Sequence, residues 1–155
     1  MQIISNLVEA HIFRIADSGI EFLLMKRAES EIYPNIWQMV TGSIENEKAY
    51  ETAIREIKEE TGLTPKLLWV VPRLNSFYSH EKDYICMIPV FVGMVSESAD
   101  VKISSEHSEF KWVDAETAKK MLAWQGQRES VSAIYEFLTD KSSSLKFIEI
   151  PLTQI

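Results

Sequence analysis

Glu56, Glu59 and Glu60 stand at i, i+3 and i+4 in the run Arg55-Glu56-Ile57-Lys58-Glu59-Glu60-Thr61-Gly62-Leu63. Just upstream, Ala49, Ala53 and Ile57 recur every four residues, which predicts a helix with one apolar stripe. The glutamate spacing puts the carboxylates on neighbouring positions of one helix face. At ~100° per residue, Glu60 points between Ala49 and Ala53, so the acidic set borders the stripe instead of facing away from it. Like charges at such a border repel one another and lose hydration. A hard divalent cation relieves both penalties, and an all-oxygen donor set suits magnesium or manganese. Arg55 could hold a neighbouring carboxylate through its planar fork. A charged surface helix with no ligand shows the same spacing, so spacing alone leaves both readings open.

The elements around this helix follow from turn and breaker residues. Leu7 to Ile15 and Ile20 to Arg27 are two apolar-rich runs separated by Asp17-Ser18-Gly19, which predicts a β-hairpin. Ile36 to Val40 is a short β-type run closing at Thr41-Gly42, and the helix is expected over Glu47–Thr61 with Gly62 as its left-handed cap. Leu67 to Val71, Tyr84 to Val95 and Phe110 to Val113 are further strands, with a polar connection over 73–83. Two helices are expected at about 115–124 and 129–138. Ser142-Ser143-Ser144 is a flexible spacer before an apolar tail, 145–155, that docks on the core, docks on a second subunit as a homodimer would, or frays. The domain is therefore set at 1–144, with the tail apart.

The chain has 155 residues and a formal net charge of −7, enough for one domain with a real core and too acidic for a generic nucleic-acid binder. A polyphosphate substrate stays compatible with that charge, because a divalent cation bridges acidic protein to acidic ligand. Cys86 is the single cysteine, which excludes a disulfide framework and a thiolate zinc site. No leader-like segment and no apolar run of ~20 residues is seen, so a protein of a reducing, cytoplasmic compartment that engages no membrane is expected.

Gly42, Glu47, Arg55, Glu56, Ile57, Glu59, Glu60, Gly62 and Leu63 together resemble the signature of the Nudix hydrolase superfamily, G-x5-E-x7-R-E-U-x-E-E-x-G-U with U aliphatic. Only four residues separate Gly42 from Glu47, so the loop before the helix is one residue short, while the spacing from Glu47 onward is intact. Ile36–Glu45 and Ile103–Val113 are similar to the subgroup of dihydroneopterin triphosphate and dATP pyrophosphohydrolases. The segment 73–83 is shorter than in that subgroup, and Ala123 stands where the subgroup has a hydroxyl.

The resemblance implies a Nudix α/β/α sandwich, a mixed β-sheet between helices. It implies magnesium-dependent hydrolysis of a nucleoside-triphosphate-like small molecule (a dNTP, an NTP or dihydroneopterin triphosphate) to a monophosphate and pyrophosphate, with manganese as a substitute. Glu56, Glu59, Glu60 and Glu106 would hold the metal; Glu59, Glu60, Glu106 and Arg55 would serve the reaction. Arg27, Thr41 and Gly42 would face the substrate. Other readings are a Nudix hydrolase of ADP-ribose, a dinucleoside polyphosphate or an oxidised nucleotide, and a Nudix-like binding module without catalysis. His107 reads as a plain loop histidine that, beside Glu106, could donate a proton or touch substrate. His11 and His80 read as core or surface residues, Cys86 as inert core. Phe77 and Tyr78 either stack on a base or pack.

Overall fold

Leu7–Ala16 alternates Val8, Ala10 and Ile12 on one face with Glu9, His11 and Phe13 on the other, and all of these side chains are buried. A strand buried on both faces lies between two covering layers. The computed structural model describes residues 1–154; the last tail residue, Ile155, lies outside the described residues. The order of elements is β1 (Gln2–Ile4), β2 (Leu7–Ala16), β3 (Gly19–Arg27), β4 (Trp37–Gln38), β5 (Val40–Ser43), α1 (Ala49–Thr61), β6 (Leu67–Ser79), β7 (Tyr84–Met94), β8 (His107–Val113), α2 (Ala115–Met121), α3 (Gln125–Thr139) and β9 (Ile148–Glu149), followed by a 3-10 turn at Leu152–Gln154.

The strands form one mixed sheet with the path β4-β3-β2-β7-β6-β9. The expected hairpin is β2–β3, antiparallel, with Ala16 opposite Gly19. Strand β7 runs parallel to β2, Glu9 opposite Val90, and antiparallel to β6. Helix α1 covers the face carrying Val8, Ala10, Ile12, Leu23, Val40 and Leu68, onto which it buries Ala53 and Ile57. Helices α2 and α3 cover the other face through Ala118, Leu122, Val131 and Ile134, against Phe13, Phe22 and Val90. The result is the expected α/β/α sandwich. Among the described residues no helix is long and apolar enough to cross a membrane.

Several boundaries differ from the sequence reading. Helix α1 begins at Ala49, not Glu47, because the Lys48 backbone N–H donates to the Glu51 carboxylate (3.1 Å) while Glu47 is drawn to Arg55 and Thr52. Gly62 does end it, at φ 73°, with its N–H on the Lys58 carbonyl. The polar stretch after Val71 is mostly strand: β6 runs on to Ser79 past an irregularity between Val70 and Leu74. Its side chains face solvent and a cleft, so the apolar alternation that marks a strand is missing there.

The tail packs on the core. Phe147 is buried and stacks on Phe137 with centroids 4.1 Å apart, and β9 pairs with β6, Val70 opposite Ile148. Phe147→Ala is expected to lower stability by ~3 kcal/mol, as emptying a buried phenylalanine site does. Ile148→Ala, at a position 68% exposed, should leave the melting temperature nearly unchanged. Thermal denaturation of the two variants checks this.

Candidate active site

The signature folds around Arg55. Its guanidinium donates to Glu47 through Nε (2.9 Å) and Nη2 (2.6 Å), to Glu56 (2.9 Å) and Glu59 (3.2 Å) through Nη1, and to the Ser43 carbonyl (3.1 Å). One planar fork thereby ties the short loop before α1 to its carboxylates. Glu47 keeps its carboxyl below the ordinary range because Arg55 and Thr52 donate to it.

Gly42 lies under this cluster. A Cβ there would overlap the Cγ and Cδ of Glu56, so the absence of a side chain lets β5 and α1 close together. Gly42→Ala needs no unusual backbone angle, since Gly42 is not among the positive-φ glycines. It is expected to push Glu56 off Arg55 and cut turnover by ~10–100-fold, the range for a displacement of about an ångström. Circular dichroism and steady-state rates on the variant check that the fold survives while activity falls.

Glu60 is the buried member of the set, 3% exposed, on the edge of the α1 stripe where the helical period placed it. Burial, then the charges of Glu56 and Glu106, push its carboxyl up to about 9, against the backbone of Thr41 and the charge of Arg27. Its Oε2 has no hydrogen-bond partner among the described residues. Burial also raises Glu56, against Arg55. Glu59 is exposed, and Glu106 occupies the turn before β8, anchored by the Ala28 N–H donating to its carbonyl (2.9 Å). The charge of Glu106 acts on Glu56 and Glu60 alike, so turn and helix share one acidic spot.

Among the described residues no three such side chains are already drawn to metal-ligating positions; Arg55 holds Glu56 and Glu59 instead. The chemistry of the spot still fits a divalent cation. A buried carboxyl with an orphaned oxygen, raised by two neighbouring carboxylates, is relieved by a hard positive ion. Arg27 donates to the Ile32 carbonyl (2.6 Å) and its charge bears on Glu60 and His107.

His107 is not a loop residue. It opens β8 opposite Arg27 and is buried. Its Nε2 faces Gln38 Nε2 at 2.9 Å and its Nδ1 lies 3.9 Å from Glu60 Oε1. Burial, then Arg27, lowers its pKa to about 4, so the ring is neutral at physiological pH. With Gln38 donating to Nε2, the ring proton sits on Nδ1, towards Glu60. Gln38 connects this pair to a cleft of about 480 Å³ on the α3 face of the sheet, where Thr41 also lies.

Of that cleft the sequence reading named Thr41 as facing substrate and Phe77 and Tyr78 as residues that stack or pack, and it missed the rest. Its walls include Tyr33, Phe77, Tyr78 and Trp124, and Glu9, Asn75 and Gln127 are among its polar residues. One signal was available: Glu9 and His11, two apart in a strand, must share a face, and an acidic residue paired with a histidine can stay inside an apolar sheet. Their contact is 2.8 Å, with both side chains buried.

The family described as NUDIX domain matches residues 6–134. The octanoyltransferase of Myxococcus xanthus is 37% identical over 103 residues, covering 61% of this chain; the match spans 27% of that protein's length. The nucleoside triphosphatase NudI of Klebsiella pneumoniae is 29% identical over 113 residues, covering 68% of this chain and 80% of that one. Among solved structures, an Ap4A hydrolase binary complex of C. elegans superposes with a TM-score of 0.75 at 24% identity, covering 87% of this chain and 97% of that one. The E. coli dihydroneopterin triphosphate pyrophosphohydrolase does so with a TM-score of 0.66 at 23% identity, covering 81% and 91%. At those identities the structures share the fold.

Proposed function

The chain belongs to the Nudix family and is a hydrolase of acid anhydrides, and from that premise we propose that it cleaves a nucleoside-triphosphate-like substrate between phosphates, giving a monophosphate and pyrophosphate. The observation that carries this reading is the buried, orphaned Glu60 carboxyl beside Glu56 and Glu106, joined through His107 and Gln38 to a cleft of base-sized volume and aromatic wall. Glu56, Glu59, Glu60 and Glu106 would hold magnesium or manganese, which when bound neutralises phosphate charge and lowers the pKa of the attacking water.

The chain's own residues do the rest. Arg55 positions Glu56 and Glu59 and keeps the loop from Ser43 to Glu47 closed on the helix. Arg27 and the backbone of Thr41 and Gly42 face the polyphosphate. Neutral His107 keeps an N–H turned to Glu60. The nucleoside triphosphatase relative supports a triphosphate, and the Ap4A hydrolase neighbour keeps a dinucleoside polyphosphate as the second reading.

A panel of nucleoside triphosphates, dihydroneopterin triphosphate, ADP-ribose and diadenosine tetraphosphate, with products separated by chromatography, tests the proposal. Monophosphate plus pyrophosphate from a triphosphate is the expected result. Turnover confined to ADP-ribose or the dinucleotide would overturn it.

A further inference from the structure

Strand β8 turns its first side chain inward by a break in its own register. Lys26 stands opposite Glu109 and Arg27 opposite His107, so Ser108 is the extra residue of a β-bulge. Regular alternation would put His107 on the side of Glu109 and Lys111, which are exposed. The bulge aims the ring into the protein instead, where it is buried. Burying an imidazole costs free energy unless both ring nitrogens find partners.

One nitrogen does. Met25 of β3 pairs with Gln38 on one side and Phe110 on the other, so β3 lies between β4 and β8. The Gln38 side chain crosses that strand and meets His107 Nε2 with its amide nitrogen, 2.9 Å away. An amide nitrogen only donates, so Nε2 accepts and Nδ1 carries the hydrogen. That buried N–H has no partner among the described residues, and neither does Oε2 of the neighbouring Glu60. Glu60 Oε1 lies 3.9 Å from Nδ1, and closing that gap by ~1 Å makes a hydrogen bond. Buried polar groups without partners are few in folded proteins, so a donor and a carboxylate left unanswered side by side need a reason.

We propose that His107 is a positioning residue for Glu60: its Nδ1–H, fixed there by Gln38, holds the Glu60 carboxylate in the orientation that takes a divalent cation. The inference rests on the metal-binding role of Glu60 proposed above and adds the groups that orient it. Carboxylate ligands are commonly held by such outer hydrogen bonds, and their loss weakens metal binding by ~10–100-fold.

Two readouts without turnover test it. Nitrogen NMR of the histidine-labelled protein in chelator should show the His107 hydrogen on Nδ1, the signal being assigned by its absence from His107→Leu. A hydrogen on Nε2 overturns the inference whether or not the chain binds metal. Calorimetry with manganese alone then compares variants whose fold is checked by circular dichroism. His107→Leu should bind manganese ~10–100-fold more weakly than the wild type. His107→Asn, whose amide can place an N–H where Nδ1 stood, should recover most of that loss. Gln38→Leu leaves the tautomer unset, so the hydrogen should divide between the two ring nitrogens and the affinity should fall by less than in His107→Leu. Wild-type affinity in a folded His107→Leu, or an equal loss in His107→Leu and His107→Asn, overturns the inference and leaves Glu60 as a ligand. A wild type that binds no manganese ends the metal role of Glu60 as well. Should His107→Leu fail to fold, the wild-type ring hydrogen and the Gln38→Leu comparison still decide the matter.

Discussion

Glu60→Gln is expected to lose turnover by ~1,000-fold or more while the metal-free protein becomes more stable. The first half follows from removing the charge of the carboxyl proposed as the buried ligand. The second follows from linkage. Glu60 is raised from its ordinary 4.5 to about 9 in the fold. Below pH 4.5 both folded and unfolded chains hold the proton, and the residue is neutral in the balance. As pH rises from 4.5 towards 9 the unfolded chain releases its proton and the folded chain does not, so stability drains away over that window. The amide of the variant has no proton to release. At ~1.4 kcal/mol per pKa unit the gain at pH ~7 is bounded near ~3 kcal/mol, and ~1–2 kcal/mol is expected. Denaturant melts of both proteins in chelator, at pH ~5 and ~8, should show a stability gap that widens with pH. Magnesium should stabilise the wild type and close the gap. A variant less stable at both pH values would refute the account of Glu60.

Glu106→Gln carries the second large effect. The turn before β8 is pinned by the Ala28 N–H, so the side chain can change without the backbone moving. Its charge is felt by Glu56 and Glu60. If Glu106 serves the transition state, as the proposed function has it, its loss should lower kcat and kcat/KM together by ~100-fold or more. Glu109 is exposed in β8, opposite Lys26, so Glu109→Gln should change either constant by less than about twofold. Parallel steady-state kinetics on the two variants decide it. Equal activities would make Glu106 an ordinary surface residue.

The helix was legible because its message is local: a four-residue recurrence, an arginine fork and a glycine stop all lie within a few turns. The hairpin was legible for the same reason, with Asp17-Ser18-Gly19 between two apolar runs. What stayed hidden depends on partners distant in the chain. Glu9 meets Asn75 from 66 residues away, and a charged residue inside an apolar strand otherwise reads as a solvent-facing position. His107 meets Gln38 from 69 residues away, and only its pairing with Arg27 extends the strand far enough to bury it. Helix α3 starts at Gln125, four residues before the sequence reading put it, because Trp124-Gln125-Gly126-Gln127 carries no apolar period. The residues of the cleft thus sit where periodicity is silent.

The alternation of β2 has an evolutionary corollary. Even-numbered side chains from Val8 to Ile12 support the layer that holds the glutamates, and odd-numbered ones from Glu9 to Phe13 belong to the layer that holds the cleft. On the proposed function, a joint change at Glu9 and His11 that keeps the buried pair matched would retune the cleft without disturbing the layer that carries the glutamates. Libraries that vary Glu9 and His11 together, along with Asn75 and Gln127, should therefore yield folded proteins with shifted preferences, whereas changing one member of the buried pair alone should cost stability. A one-residue insertion within β2 should instead exchange the two sets of side chains and leave neither layer intact.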